Sequence, residues 1–309
     1  MNPILKKSLK ILAWVFGGLL TLLLILAAFV QFAPAPSYES VAIPTLQVKS
    51  DDDFLTHGKA LVQMNCYACH ANPESGTLEG QFFGKTPLGE AYTANITQDP
   101  THGIGQYTSG ELYRLLRTGI KKDHSLIVPF MPKFQNMSEN DLQAIIAFLQ
   151  SNDPMLEASR AERPVELNLL GKALLKFAWK PLDYPSSYAE TPQLADTQAY
   201  GRYLVTSQLL CYGCHSATHE VDLVQPEQTQ GYLAGGMEFE PGLVSPSLRV
   251  AEGGLPGYTM QDFVAAMRQG KKPSGESFRP PMHGYPQLDS LEIVAIWTYL
   301  SKVKPPSPN

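Results

Sequence analysis

"CYACH" occupies residues 66–70 and "CYGCH" occupies residues 211–215. The chain has four cysteines, and these two stretches hold all of them. A disulfide framework, a redox dithiol or a zinc site accounts for a C-x-x-C pair. None of them requires a histidine directly after the second cysteine, twice. Covalent attachment of a c-type haem uses every residue of the motif. Cys66 and Cys69 add their sulfurs across the two vinyl groups, and the two-residue gap lets a turn of helix set both thiols over one porphyrin edge. His70 then projects toward the iron. Cys211, Cys214 and His215 repeat the arrangement, so the pair of motifs predicts two covalently bound haem c groups.

The 309 residues are 44% hydrophobic and 17% charged, with 25 prolines and 24 glycines. This composition suits globular material with short elements and one apolar segment. That segment is 11–32, "ILAWVFGGLLTLLLILAAFVQF", which carries no charge. As a helix its length is roughly 33 Å, enough for a bilayer core. Lys6, Lys7 and Lys10 precede it, and no basic residue follows until Lys49. The positive-inside rule leaves the N-terminus in the cytoplasm and exports the rest. The expectation is a single-pass anchor in a bacterial cytoplasmic membrane, with the remaining chain in the periplasm. A cleaved signal peptide is the alternative, although its apolar region is usually shorter. The net charge is −5; without the three leading lysines, 21 basic face 29 acidic residues, about −8. This balance argues against nucleic-acid binding.

An internal repeat locates the second axial ligand of each iron. "TSGELYRLLRTG" (108–119) aligns with "TMQDFVAAMRQG" (259–270) at an offset of 151. Twelve residues beyond each terminal glycine stands a methionine in a proline-rich turn, Met131 in "PFMP" and Met282 in "PPMH". A thioether is a soft neutral ligand that, opposite histidine, raises the reduction potential. The competing reading is gap-filling in a core, but matched repeat positions favour ligation. Of the other histidines, His283 beside Met282 is the rival ligand. His57 reads as a surface residue on the helix before the first motif. His124 reads as solvated, and His102 and His219 as facing solvent.

The offset continues into the next element. Leu142, Ile145, Ile146 and Leu149 follow helical spacing, as do Ile293, Ile296, Trp297 and Leu300. Ser138 with Asp141 and Asp289 with Glu292 read as their N-terminal caps. Arg117 and Arg268 match each other, as do Tyr107 and Tyr258, and all four are candidate contacts for haem propionates. The fold expected is all-α, two tandem units after one N-terminal transmembrane helix. Each unit runs helix, CxxCH, long loop, helix, methionine loop and C-terminal helix.

"TANITQDPTHGIGQYTSGELYRLLRTGI" (93–120) resembles the "PNITPDPETGIGxW" signature of periplasmic cytochrome c subunits that serve membrane-bound alcohol, aldehyde and gluconate dehydrogenases. "SPSLRVAEGGLPGYT" (245–259) is a looser second copy. The resemblance covers roughly residues 50–304. Tyr107 and Tyr258 stand where the signature has tryptophan, and the known subunits often carry three haems where this chain has two motifs. The resemblance implies class I-like cytochrome c domains. It assigns Cys66, Cys69, His70 and Met131 to one haem, and Cys211, Cys214, His215 and Met282 to the other. It also implies electron transfer, with a periplasmic or membrane-bound dehydrogenase, a terminal oxidase, or both as partners. The alternatives are a dihaem subunit of a terminal oxidase, or a dihaem enzyme such as a peroxidase or sulfur-compound dehydrogenase.

The boundaries that follow are 1–32 for the cytoplasmic end and anchor, 33–50 for a proline-containing semi-rigid spacer, and 51–153 for the first haem domain. Residues 154–190 form a linker, 191–304 the second haem domain and 305–309 a tail. The linker contains "LNLLGKALLKFAWKPL" (167–182), with lysines at 172, 176 and 180 beside Leu, Phe and Trp. It reads either as a helix lying on a membrane surface or as a helix packed between the two halves with its lysines in water. The second is expected.

Overall fold

The computed structural model describes residues 3–163 and 165–303; the expected tail at 305–309 lies outside them. Helix α1 (Pro3–Phe32) comes first. Its segment Lys6–Phe32 has a mean hydropathy of 2.5 and is long and apolar enough to cross a membrane, the property shared by an anchor and a signal sequence.

Two halves follow with matching local construction. In the first, α2 (Asp52–Asn65) starts at Asp51, whose side chain accepts from the Phe54 N–H. Asp52 and Asp53 in its first turn suit the helix dipole. The helical turn α3 (Tyr67–His70) follows at once. Then come a hairpin of β1 (Phe82–Thr86) and β2 (Gly89–Tyr92), helix α4 (Ser109–Thr118) and helix α5 (Glu139–Leu149). Helix α4 opens with a reciprocal cap between Thr108 and Glu111 and stops at Gly119, which is left-handed at φ 82°; both features favour these residue types. Helix α5 is capped by Ser138, which accepts from Asp141 N–H, and it buries Leu142, Ile145, Ile146 and Leu149. Strand β3 (Glu166–Leu167) joins β2, and helix α6 (Leu169–Phe177) succeeds it.

In the second half α7 (Thr197–Tyr203) runs through a π turn and a left-handed Leu210 at φ 51° into the Cys211–Gly213 turn. A short ribbon of β4 (Glu238–Glu240) and β5 (Leu243–Val244) follows, then α8 (Met260–Gln269) and α9 (Ser290–Leu300). Helix α8 repeats the reciprocal cap with Thr259 and Asp262 and the left-handed stop at Gly270, φ 64°. Asp289 and Glu292 cap α9 as expected.

The first and last helices of each half cross at a glycine. A Cβ on Gly58 would lie 2.0 Å from the Ala144 carbonyl oxygen, and one on Gly201 would lie 1.9 Å from that of Ala295. Only a bare Cα lets α2 meet α5, and α7 meet α9, at this separation. One apolar core then runs through both halves. Polar contacts also join them. Tyr203 on α7 donates to buried Asp141, Lys133 pairs with Asp222, and Gln287 donates to Gln63 at 3.3 Å.

Three expectations need correction. The fold is mostly helical but not all-α, because β1, β2 and β3 form one small sheet and β4 and β5 another. Strands β1, β2, β4 and β5 sit in the loops after each motif, where Gly89 at φ 129° and Gly242 at φ 81° permit turns closed to other residues; β3 follows α5 and adds to β2. The semi-rigid spacer expected at 33–50 does not stand apart but packs against the first half. Tyr38 N–H donates to the His124 carbonyl, Leu46 and Val48 pack on the core, and Pro44 passes so close to Gly110 that a Cβ there would lie 2.1 Å from its carbonyl oxygen. Nor does the linker helix lie between the halves: α6 packs against α1, where Phe177 stacks on Phe29 with ring centroids 6.2 Å apart.

Candidate functional site

Each histidine of the two motifs is placed by its own short turn and then oriented from a distance. The His70 N–H donates to the Cys66 carbonyl at 2.8 Å and the His215 N–H to that of Cys211 at 2.9 Å, so both motifs form the predicted helical turn. The rings are fixed by backbone from the following loop. His70 Nδ1 lies 2.7 Å from the Ala94 carbonyl oxygen, and His215 Nδ1 lies 2.9 Å from that of Pro246. A carbonyl oxygen only accepts, so Nδ1 carries the proton and Nε2 keeps a lone pair. This is the tautomer that a metal-binding imidazole needs. Burial lowers both histidine pKa values, partly offset by these hydrogen bonds. The rings are therefore neutral at neutral pH.

The Ala94 carbonyl owes its place to the signature loop. Asn95 accepts from both the N–H and the hydroxyl of Thr97 while donating to the Ser159 carbonyl at 2.7 Å. Asp99 accepts from the Thr101 and His102 N–H groups. A Cβ on Gly103 or Gly105 would lie 2.3 Å from the Thr97 or 2.2 Å from the Gln98 carbonyl oxygen, so both glycines are needed for the loop to fold on itself.

The four cysteines are unpaired with one another in disulfides. Burial pushes the Cys66 and Cys211 thiols up to about 12 and also raises Cys69 and Cys214. Thiols held protonated in this way differ from the low-pKa nucleophile of a redox dithiol. Two thiols and a neutral imidazole with free Nε2, all on one turn, fit a haem c.

Met131 and Met282 occupy matching loops. Ile127 N–H donates to Gly119 O at 2.8 Å and Phe278 N–H to Gly270 O at 2.6 Å, while bridges join Ile120 with Leu126 and Lys271 with Ser277. Both methionines are partly buried, and Met131 packs on the core. Met137, fully buried in the same loop, matches Leu288 in the second half; both are core side chains. The His283 ring lies tilted against Tyr285 with centroids 4.6 Å apart, and its Nε2 is buried without a hydrogen-bond partner.

The arginines hold the ends of these loops. Arg117 is fully buried. It donates through Nη1 to the Phe134 and Gln135 carbonyls and through Nη2 to Glu139 at 2.6 Å, leaving Nε unpaired. Arg268 donates to the Leu288 carbonyl at 3.1 Å and Ser290 Oγ at 3.2 Å. This loop-clamping role was not visible in sequence, where the matched arginines suggested only propionates. Tyr107 accepts from Lys122 N–H at 3.3 Å, and Tyr258 packs half-buried on the core. His57, expected at the surface, reaches Asp141. His102 sits beside Asp99 at 3.2 Å, His124 beside Arg114 at 3.2 Å, and His219 beside the Gly213 carbonyl at 2.7 Å. The carbonyls of Ala94 and Pro246 escaped sequence reasoning because a backbone acceptor has no side-chain signal.

Residues 55–153 match the family described as cytochrome c. The chain is 29% identical over 231 residues to the cytochrome c subunit of a quinone alcohol dehydrogenase from Gluconobacter oxydans, covering 72% of this chain and 48% of that protein. It is 32% identical over 195 residues to the corresponding subunit from Gluconacetobacter polyoxogenes, covering 60% and 41%. A diheme cytochrome c-type protein of Cereibacter sphaeroides is 27% identical over 251 residues, covering 77% and 81%. The chain thus spans less than half the length of the two alcohol dehydrogenase subunits. With the first motif inside the matched region, residues 55–153 of this chain form a cytochrome c domain, the kind that carries covalently bound haem c and transfers electrons.

Proposed function

We propose that this protein is a membrane-anchored dihaem cytochrome c that relays electrons in the periplasm, from a dehydrogenase to a terminal oxidase or a soluble carrier. The observation that carries this reading is the repeated histidine geometry: His70 on Ala94 and His215 on Pro246, each with Nδ1 on a carbonyl and Nε2 free. In this reading 51–153 and 191–304 are tandem cytochrome c domains joined by 154–190. Cys66, Cys69, Cys211 and Cys214 form the thioethers. His70 and Met131 would hold one haem, and His215 and Met282 the other. A haem held there would supply one-electron ferric/ferrous redox chemistry.

The chain's part is to position and insulate. The two carbonyls hold the imidazoles, burial shields the histidines from water, and the arginine-clamped loops carry Met131 and Met282. The direct contacts of Tyr203 with Asp141 and of Lys133 with Asp222 hold the halves together and favour transfer between them. The relatives' names support a dehydrogenase as donor and a two-haem content. The apolar α1 supports retention in the membrane with both halves outside.

The test is direct. Protein matured with the haem-attachment machinery should, after denaturation, keep two haems per polypeptide by mass, and the native ferric form should be low-spin throughout. Affinity capture from solubilised membranes should recover a dehydrogenase. A single haem, or a persistent high-spin fraction with peroxide turnover, overturns the reading.

A further inference from the structure

Helix α6 has an exposed apolar face with a defined position relative to α1. Leu169, Leu170, Ala173 and Phe177 fall within one sector at 100° per residue, opposite Gly171. Gly171 lies against the β1–β2 turn, where a Cβ would be 2.6 Å from the Leu88 carbonyl oxygen. Asn168 secures the helix start to the same turn, through its N–H to Leu88 O at 2.9 Å and its side chain to Pro87 O at 2.8 Å. The protein therefore covers one face of α6 and leaves the other open, with Leu170 and Phe177 each 56% exposed.

The end of α6 is fixed in depth. Phe177 stacks on Phe29, and Lys176 Nζ donates to the carbonyls of Ala33 and Pro34, the residues where the chain leaves α1. Phe29 stands three residues, about 4.5 Å, inside the apolar span that ends at Phe32. A helix docked there meets the headgroup and acyl boundary. Its lysines and Trp179 are the residue types that settle at that boundary.

We propose that α6 is a second membrane contact, lying in the outer-leaflet interface with Leu169, Leu170 and Phe177 among acyl chains and Lys172 and Lys180 at lipid phosphates. The inference rests on α1 being retained as an anchor. The occupant is lipid because the open face continues from the lipid-facing surface of α1. With β3 and the β1–β2 turn bound to it, α6 sets the tilt and height of the first haem-binding half against the membrane.

The experiment uses the full-length haem-loaded protein in vesicles of zwitterionic and anionic phospholipid. A photoreactive benzoyl-phenylalanine replaces Leu170, Phe177 or, as an anchor control, Leu23. All three positions are expected to give covalent lipid adducts by mass spectrometry, with the haem spectrum unchanged. Adducts at Leu23 but none at Leu170 or Phe177, or crosslinks there to protein instead of lipid, overturn the α6 contact and leave the anchor reading standing. A mature protein lacking residues 1–32 by mass overturns both.

Discussion

His57 Nε2 lies 2.8 Å from Asp141 Oδ1, and the other oxygen of that carboxylate accepts from Tyr203 OH. One buried acid thus links α2, α5 and α7 and joins the two halves. Tyr203 also accepts from the Ser138 N–H at 3.0 Å, so the cap of α5 belongs to the same network. Replacing Asp141 with Ala leaves a buried phenol and an imidazole without their acceptor. The expected cost is about 3 kcal/mol, read as a lower denaturation midpoint of the haem-loaded protein.

The same contact gives a pH dependence. The hydrogen bond to Asp141 holds His57 above its ordinary value of 6.5, against the lowering effect of burial, with the charges of Asp141 and Glu292 adding to the rise. A raised folded pKa means that the stabilisation is complete below the ordinary value and is lost as pH climbs through the folded one. The imidazole side chain is 43% exposed, so solvent screening keeps the effect below about 1 kcal/mol. Melting curves across this window should show His57→Gln losing part of the alkaline decline that the parent retains. Equal slopes would refute the assignment.

The glycine crossings should tolerate nothing larger. Gly58→Ala and Gly201→Ala each put a methyl about 2 Å from a backbone carbonyl, which a rigid helix pair relieves only by separating. A loss of about 3 kcal/mol is expected from either, together with reduced haem incorporation. Gly17→Ala in α1 meets nothing within 4 Å and serves as the neutral comparison.

The methionine assignment separates by substitution. Met131→Ala and Met282→Ala should each convert one of two haems from low-spin to high-spin and lower one of two reduction potentials, since a thioether opposite histidine raises the potential. Met137→Leu should change neither, because leucine already fills the matching site at 288. If Met282→Ala stays low-spin, His283 is the ligand of the second iron.

Arg117 should govern how firmly the first methionine loop is held. Arg117→Lys retains charge but not the fork that reaches the Phe134 and Gln135 carbonyls and Glu139 together. Destabilisation of about 2 kcal/mol is expected, with faster displacement of Met131 by added imidazole. The exchange rate distinguishes loop clamping from a propionate contact, which would alter the potential without changing exchange.

Much of this was legible in one chain because it is local or repeated. The CxxCH spacing demands its own turn, and Thr108 with Glu111 and Thr259 with Asp262 cap helices within four residues. A register of 151 carries α4, the methionine loop and α5 onto α8, its loop and α9. The apolar run of α1 declares itself by length. What the tertiary structure alone decided depends on groups far apart in sequence. The acceptors that orient His70 and His215 come from backbone 24 and 31 residues away. Arg117 was turned toward a loop end, the spacer was drawn onto Gly110, and α6 was sent to the foot of α1. In each case the deciding term is how closely two surfaces can approach. Periodicity in one segment says which face is apolar, but only the packed chain says what meets it.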